Sequence, residues 1–512
     1  MPFNAQHPSH LLRTELGTIR KQFGIGCAVA LVYPHTYAVG MSNLGVHFIY
    51  ERLNRRSDCV CERLFWNLDP LVSVESQRPL TDFNLIAFSV SFELDYLHLL
   101  QVLERARIPL FASERIGGRY PIIIAGGISV TMNPYPIAPF VDAVVLGDGE
   151  EIIDQIIDAY QSSQGKKSEF LVEIAKIPGV IVAQALTQLP EPNATYQLKP
   201  NIVVPLTPPP CRTLIFTPHT EFASMCLIEI ARGCPHKCTF CYTGNSPLPY
   251  RVHELAQIQT TIDQNRQYTD RFGLVSSAVG RHPQIEALCD YALSKGVRLS
   301  FSSLHVADIG PIILRTLALS EQRTMTIAPE SGDEALRRSL GKPIADEQII
   351  QLIRKAIEQG IPSVKLYFLI GLPNESLEQC LSIISLVKHL HHHFTAASKR
   401  KTTIGTMSIN VGIFIPKPGT PLSKDGMMGI RALRERIRLL HRELSRLSNV
   451  TLSMPSAHQA AAQTLLSLGG PTVSEFLLAA LRHNGSWRTA LREKTRDGEA
   501  TWLDLSQSLK IS

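Results

Sequence analysis

Apolar positions fall in two rhythms along the chain. Unbroken apolar runs at CAVALVYP (27–34), LIAFSVSF (85–92), IIIAGG (122–127) and AVVLGDGEE (143–151) read as strands. Between them, Met41–Asn54, Tyr96–Ala106 and Ile152–Ser162 carry helical text. Continuous apolar strands separated by helices predict a parallel sheet covered on both faces, a doubly wound α/β domain. Ligands of such sheets sit beyond the carboxyl ends of the strands, here near Ser89, Gly126, Gly127 and Gly147. The proline-rich PLTPPP (205–210) predicts a boundary, so this domain is placed at 1–204.

A second alternating series follows, with strands at CLIEI (226–230), GLVSSAV (273–279), RLSFSS (298–303), MTIAP (325–329), VKLYFLI (364–370) and SINVGIFI (408–415). Six βα units predict a partial (β/α)6 barrel over 205–450, with its site at the C-terminal ends of the strands. Ser331 and Glu334 form an S-x-x-E pattern, predicting a capping box at the next helix start. The helix Arg431–Leu447 places Leu433, Ile437, Leu440, Leu444 and Leu447 on one stripe, with arginines mainly opposite. Residues 451–512 read as a small helical region.

At 512 residues the chain is too long for one core. With 44% hydrophobic and 19% charged residues it is not a disordered chain. A net charge of +6 neither demands nor excludes a nucleic-acid partner. No apolar run is long enough to span a membrane, and the first residues lack the apolar core of a signal peptide, so a cytoplasmic protein is expected. There the 10 cysteines stay reduced, and their spacing carries the information. Cys59 and Cys61 in CVCER alternate as in a strand. They and Cys226 read as buried core thiols.

Cys234, Cys238 and Cys241 differ. In EIARGCPHKCTFCYTG (229–244) they follow a strand at C-x3-C-x2-C spacing on a Gly- and Lys-containing loop. Three thiolates can hold three irons of a cubic cluster and leave the fourth open to an external ligand. A zinc knuckle completed by His236 is the alternative for the same residues. With Phe240 just before the last cysteine, the motif resembles that of the radical S-adenosylmethionine (SAM) superfamily. The resemblance covers roughly residues 220–450. It implies a 4Fe–4S cluster on Cys234, Cys238 and Cys241, with SAM on its fourth iron and cleavage to a 5′-deoxyadenosyl radical. TIAPESG (326–332) is similar to the family's fourth strand, which implies Glu330 as a SAM contact. YFLIGLPNES (367–376) is similar to the fifth, with Gly371 approaching the adenine. FIPKPGTP (414–421) is similar to the sixth-strand text of methylthiotransferase-like and cobalamin-associated members. Ser276–Ser277–Ala278–Val279 replaces the family's Gly-Gly-Glu. The carbonyls and hydroxyls of Ser276 and Ser277 can accept the same hydrogen bonds. Lys365 reads as a solvated strand residue rather than a partner for the SAM carboxylate.

YPHTYAVGMSNLG, SFELDY, AGGISVT and LGDGEE in the front domain resemble fused cobalamin-binding/radical SAM proteins of unassigned substrate. The family's D-x-H-x-x-G cobalt-ligand motif is absent around His35. Cobalamin binding without a protein ligand, and a domain that keeps only the fold, both stay open. The resemblance implies a radical SAM enzyme that methylates or otherwise modifies a C–H bond of an unknown substrate. Its reductant would be a flavodoxin or ferredoxin. The alternatives are a non-catalytic iron–sulfur or cobalamin sensor, a zinc-stabilised adaptor, and a methylthiotransferase-like enzyme acting on RNA or protein. That last class carries a second three-cysteine site, which the spacing of Cys27, Cys59 and Cys61 does not resemble. The arginines of 431–446 read as a solvated face with RNA contact as the alternative. His389, His391, His392 and His393 read as a solvated helix end.

Overall fold

A computed structural model describes residues 6–117, 119–187, 198–206, 208–302, 304–398, 405–495 and 500–508. Thr207 of the proline-rich boundary and Ser303 of the predicted third barrel strand lie outside them. The chain packs into two units. The first comprises Met1–Thr207, Cys211–Met225 and Leu465–Trp502; the second comprises Pro208–Pro210, Cys226–Thr464 and Leu503–Ser512.

In the first unit, β1 (Cys27–Tyr33), β2 (Cys59–Phe65), β3 (Leu85–Ser89), β4 (Ile122–Gly126), β5 (Ala143–Val145) and β6 (Val180–Val182) form one sheet. Their order is β2-β1-β3-β4-β5-β6. The first five are parallel and β6 runs antiparallel on the edge. Every residue of β1 and β2 is buried, which is why their text is almost unbroken in apolar residues. The order turns back at β1, between β2 and β3, the place where sheets of this kind hold ligands at the strands' carboxyl ends. The predicted helix Met41–Asn54 forms as Leu44–Arg55, three residues later at its start. Tyr37–Gly40 forms one turn, and a second helix begins at Leu44, capped by Asn43 accepting from Val46 N–H.

A charged network lies under β2. Arg63 pairs bidentately with Glu15 (2.7 and 2.9 Å) and donates from Nε to Glu75 (2.6 Å), all three side chains being at most 3% exposed. Tyr37 and Thr18 hydroxyls each donate to Glu15 at 2.6 Å. Although burial acts to raise the Glu15 carboxyl, Arg63 and these hydroxyls hold it below its usual range. The C-terminal stretch also belongs to this unit. Asn133 Nδ2 donates to the carbonyls of Leu466 and Gly469 (both 2.9 Å), and Ser467 donates to Glu93 (3.0 Å).

In the second unit, β7 (Cys226–Glu229) is followed by β8 (Ala231–Arg232) and β9 (Arg251–Val252), which form a small antiparallel pair. The remaining strands are β10 (Arg271–Val275), β11 (Arg298–Phe301), β12 (Thr324–Glu330), β13 (Ser363–Ile370), β14 (Met407–Ile413) and β15 (Val450–Ser453). They pair in parallel as β7-β10-β11 and β12-β13-β14-β15, and a parallel bridge at Leu304 and Ile327 joins the two groups. The partial barrel thus has one strand more than the six predicted. Strands β12 to β14 alternate buried and open positions. Their apolar residues face the helices Asp346–Glu358, Leu377–Ser398 and Ile430–Leu444. The other face carries Thr326, Glu330, Lys365, Tyr367, Ser408 and Asn410, a polar inner wall.

Two local readings need correction. Asp333, not Ser331, caps the helix Glu334–Ser339, accepting from Leu336 N–H at 2.7 Å, while Ser331 accepts from Asp333 N–H. An aspartate nearer the helix outcompetes the serine for the first free donors. The histidines from 389 to 393 lie inside a helix that runs on to Ser398, not at its end.

Candidate active site

The cysteine loop leaves the carboxyl end of β7 through β8. Its shape is set by side chain-to-backbone bonds. Asn245 Nδ2 donates to the carbonyls of Cys238 (2.7 Å) and Cys241 (2.9 Å), and Lys237 Nζ to that of Gly244 (2.8 Å). Any side chain at Gly244 would meet the His236 carbonyl at 2.1 Å, so the loop closes only over glycine. Cys238 is buried and Cys234 and Cys241 are partly open. Burial pushes the Cys238 thiol up to about 11, and Lys342 beside it works against that rise.

Phe240 packs on Leu340, Leu372 and Phe414, bringing the loop against the ends of β13 and β14. Glu330 stands at the end of β12, where the pairing slips after Ile327. Its backbone is left-handed (φ +69°), a strained state for a residue with a side chain, and of a kind that concentrates at functional sites. Its carboxylate accepts from Lys342 Nζ at 2.6 Å, and the same ammonium donates to Ala328 O (3.0 Å) and lies 5.9 Å from the Phe240 ring centroid. Burial raises the Glu330 pKa in spite of that ion pair.

Gly371 has φ +77°, and a Cβ there would come within 2.6 Å of Leu433. Its N–H donates to Glu375 (2.8 Å), and Arg436 donates to the Glu375 carbonyl (3.1 Å). Burial outweighs these partners and pushes the Glu375 carboxyl up to about 7. A carboxyl raised in the fold binds more protons there than in the unfolded chain, so its stabilisation is complete below pH ~4.5 and lost as pH rises to ~7. Relative to Glu375→Gln, the protein should lose about 3 kcal/mol across that window. Unfolding midpoints of the two proteins at pH 4.5 and 7 check this, and a constant difference would refute it.

Ser276 is buried, its hydroxyl accepting from Ala278 N–H (3.2 Å), and Ser277 is exposed. The turn they begin ends at Arg281, whose Nε pairs with Asp308 at 2.8 Å. Asp308 also binds His236 Nε2 of the cysteine loop (3.1 Å), and the His236 and His305 rings stack with centroids 4.5 Å apart. The structure thus gathers Phe240 and Glu330 with the loop and sets Leu372, next to Gly371, against Phe240; no contact joins Ser276 or Ser277 to the loop among the described residues. Lys365 lies over Tyr367 (5.2 Å to the ring centroid). Sequence reading missed Lys342, Arg281, His305 and Asp308. Only Lys342 left a signal, a lone cation just after the Gly341 that ends the capped helix.

The residues suit a bound cluster. Thr239 Oγ1, Tyr250 Oη and His305 Nε2 are buried polar atoms with no hydrogen-bond partner among the described residues. Burial of unpaired donors points to a group that completes them. At the ends of β4 and β5 in the first unit, the space beside Gly127 is filled by Val90 O (2.3 Å from a built Cβ) and that beside Gly147 by Asn201 O (2.1 Å). Those glycines serve the chain's own close approaches. No helix among the described residues is long and apolar enough to cross a membrane.

Comparison with known proteins agrees with this architecture. Residues 45–183 match the model for the N-terminal region of radical SAM proteins, and residues 228–387 that of the radical SAM superfamily. An uncharacterized protein of Methanocaldococcus jannaschii is 25% identical over 88% of this chain and 90% of its own length. Ribosomal protein uS12 methylthiotransferase RimO of Thermodesulfovibrio yellowstonii is 22% identical over 37% of this chain and 48% of its own. Among solved structures, the radical SAM methyltransferase TsrM of Kitasatospora setae, with cobalamin and a 4Fe–4S cluster bound, aligns with TM-score 0.50. The identity is 15%, over 78% of this chain and 74% of that one. The cobalamin-dependent SAM radical enzyme OxsB with aqua-cobalamin aligns with TM-score 0.51 at 13% identity, over 90% and 71% of the two chains. These two structures share its fold. With one family model on the front unit and a second on the barrel, the chain is similar to radical SAM proteins over both.

Proposed function

We propose that this chain is a radical SAM enzyme that binds a 4Fe–4S cluster through Cys234, Cys238 and Cys241 and modifies a C–H bond of its substrate, with methylation the leading outcome. The observation that carries this reading is the three-cysteine loop packed beside a buried Glu330–Lys342 pair, with unpaired donors around it. When bound, the cluster supplies the electron that cleaves SAM to a 5′-deoxyadenosyl radical. The protein's part is to bind, orient and exclude water. Phe240, Leu372 and Phe414 give the apolar wall. Gly371 lets the β13 turn come close to an adenine. Lys342 and Glu330 offer a cation and an acceptor to the amino-acid end of SAM. The polar wall of Lys365, Tyr367 and Asn410 faces the substrate.

Cobalamin as methyl carrier draws its support from the fold alone, since the front unit lacks the cobalt-ligand motif and its glycines are used internally. Methylthio transfer is disfavoured because Cys27, Cys59 and Cys61 are fully buried in β1 and β2, with thiol pKa values raised by burial. A flavodoxin or ferredoxin is the proposed reductant. Anaerobic reconstitution followed by SAM and dithionite should give a brown four-iron protein that releases 5′-deoxyadenosine. Zinc in place of iron, or a full cluster that never cleaves SAM, would defeat the proposal.

A further inference from the structure

His305 follows β11 and stacks on His236, between two of the cysteines, with an interplanar angle of 20°. His236 is fixed by Asp308 (3.1 Å), and Asp308 by Arg281 (2.8 Å), so the surface under His305 is rigid. His305 Nδ1 accepts from Ala307 N–H (3.3 Å). An imidazole that accepts at Nδ1 carries its proton on Nε2. That Nε2–H is buried and has no acceptor among the described residues. A buried donor left unpaired costs about 1–3 kcal/mol, so a missing partner is the economical explanation.

We propose that His305 Nε2–H donates a hydrogen bond to an anionic acceptor of the bound cofactor pair, a cluster sulfur or the SAM carboxylate, and so positions that pair and tunes the cluster. This rests on the cluster reading above. His236, His305 and Asp308 also bring three ligand atoms within 4.8 Å of one another, as a divalent cation would need. The proton on Nε2 and the Arg281 cation on Asp308 argue against that occupant. Hydrogen bonds to the sulfurs are among the factors that set a cluster's potential.

The test compares the reconstituted chain with His305→Phe, which keeps a flat ring on His236 without the donor, and His305→Gln, which retains an N–H. Midpoint potential is read by EPR-monitored titration without SAM, and SAM affinity by calorimetry, at matched iron content. A lower potential in His305→Phe, restored by His305→Gln, supports the donor and assigns it to a cluster sulfur. About tenfold weaker SAM binding, restored likewise, supports it and assigns it to the carboxylate. A His305→Phe protein that takes up no iron while His305→Gln fills normally also supports it. Unchanged potential and affinity at full iron content would overturn the proposal alone, as would equal defects in both variants. So would zinc or ferrous ion bound one per chain by the cysteine-free protein and lost in His305→Phe. An unsubstituted chain that takes up no iron would overturn the cluster reading and this proposal with it.

Discussion

Cys241→Ala should remove the iron–sulfur chromophore and all SAM cleavage while the first unit stays folded. Cys241 caps the short helix Tyr242–Asn245 through its backbone, and its side chain makes no cap bond, so the turn itself does not need the thiol. Two thiolates cannot hold a cubic cluster in the orientation three provide. Iron content should fall to background and 5′-deoxyadenosine should become undetectable. Hydrogen-exchange protection across β1 to β5 should match the unsubstituted protein. A variant retaining a full four-iron cluster would show that Cys241 is not a ligand.

Arg63→Ala should be the most destabilising single change in the first unit. The substitution leaves Glu15 and Glu75 as two buried carboxylates without their cation, a defect that typically costs about 3–5 kcal/mol. The pH sign differs from that at Glu375. Glu15 is held below its usual range, so its contribution is present above pH ~4.5 and lost as acid protonates it. Arg63→Ala should therefore show its full deficit at neutral pH and a smaller one in acid. Replacing Glu15, Arg63 and Glu75 together by Leu, Met and Leu should cost less than Arg63→Ala, because no uncompensated charge remains. Denaturation midpoints decide it. A loss below about 1 kcal/mol at pH 7 would mean that water reaches the pocket.

Both sheets were legible where strands are buried in the ordinary way. CAVALVYP and IIIAGG announce themselves because every side chain is apolar. CVCERLF became β2 although Glu62 and Arg63 stand in its middle. Their burial is made tolerable by Ser73 and Ser76 donating to Glu62 (2.5 and 2.6 Å) and by Glu15 and Glu75 around Arg63, partners that sequence patterning cannot supply. β6 has three residues and β15 is half polar, too little text for a period to show. At the site, the cysteine spacing and the Gly371 turn were readable because local chain geometry dictates them. Lys342, Arg281, Asp308 and His305 were not. Arg281, Asp308 and His305 acquire their roles from residues on another strand's loop, and Lys342 from the turn of chain that brings it back to Glu330.

The bonds from Asn133 to Leu466 and Gly469, and from Glu93 to Ser467, carry a consequence for biosynthesis. They join positions 333, 336 and 374 residues apart. The whole barrel is made between the two halves of the first unit. On the ribosome, β1 to β6 emerge first but wait for Leu465–Trp502, and the second unit in turn waits for Leu503–Ser512. Domains usually mature from the N-terminal end onward. Here the front sheet is completed only after the barrel strands have been made.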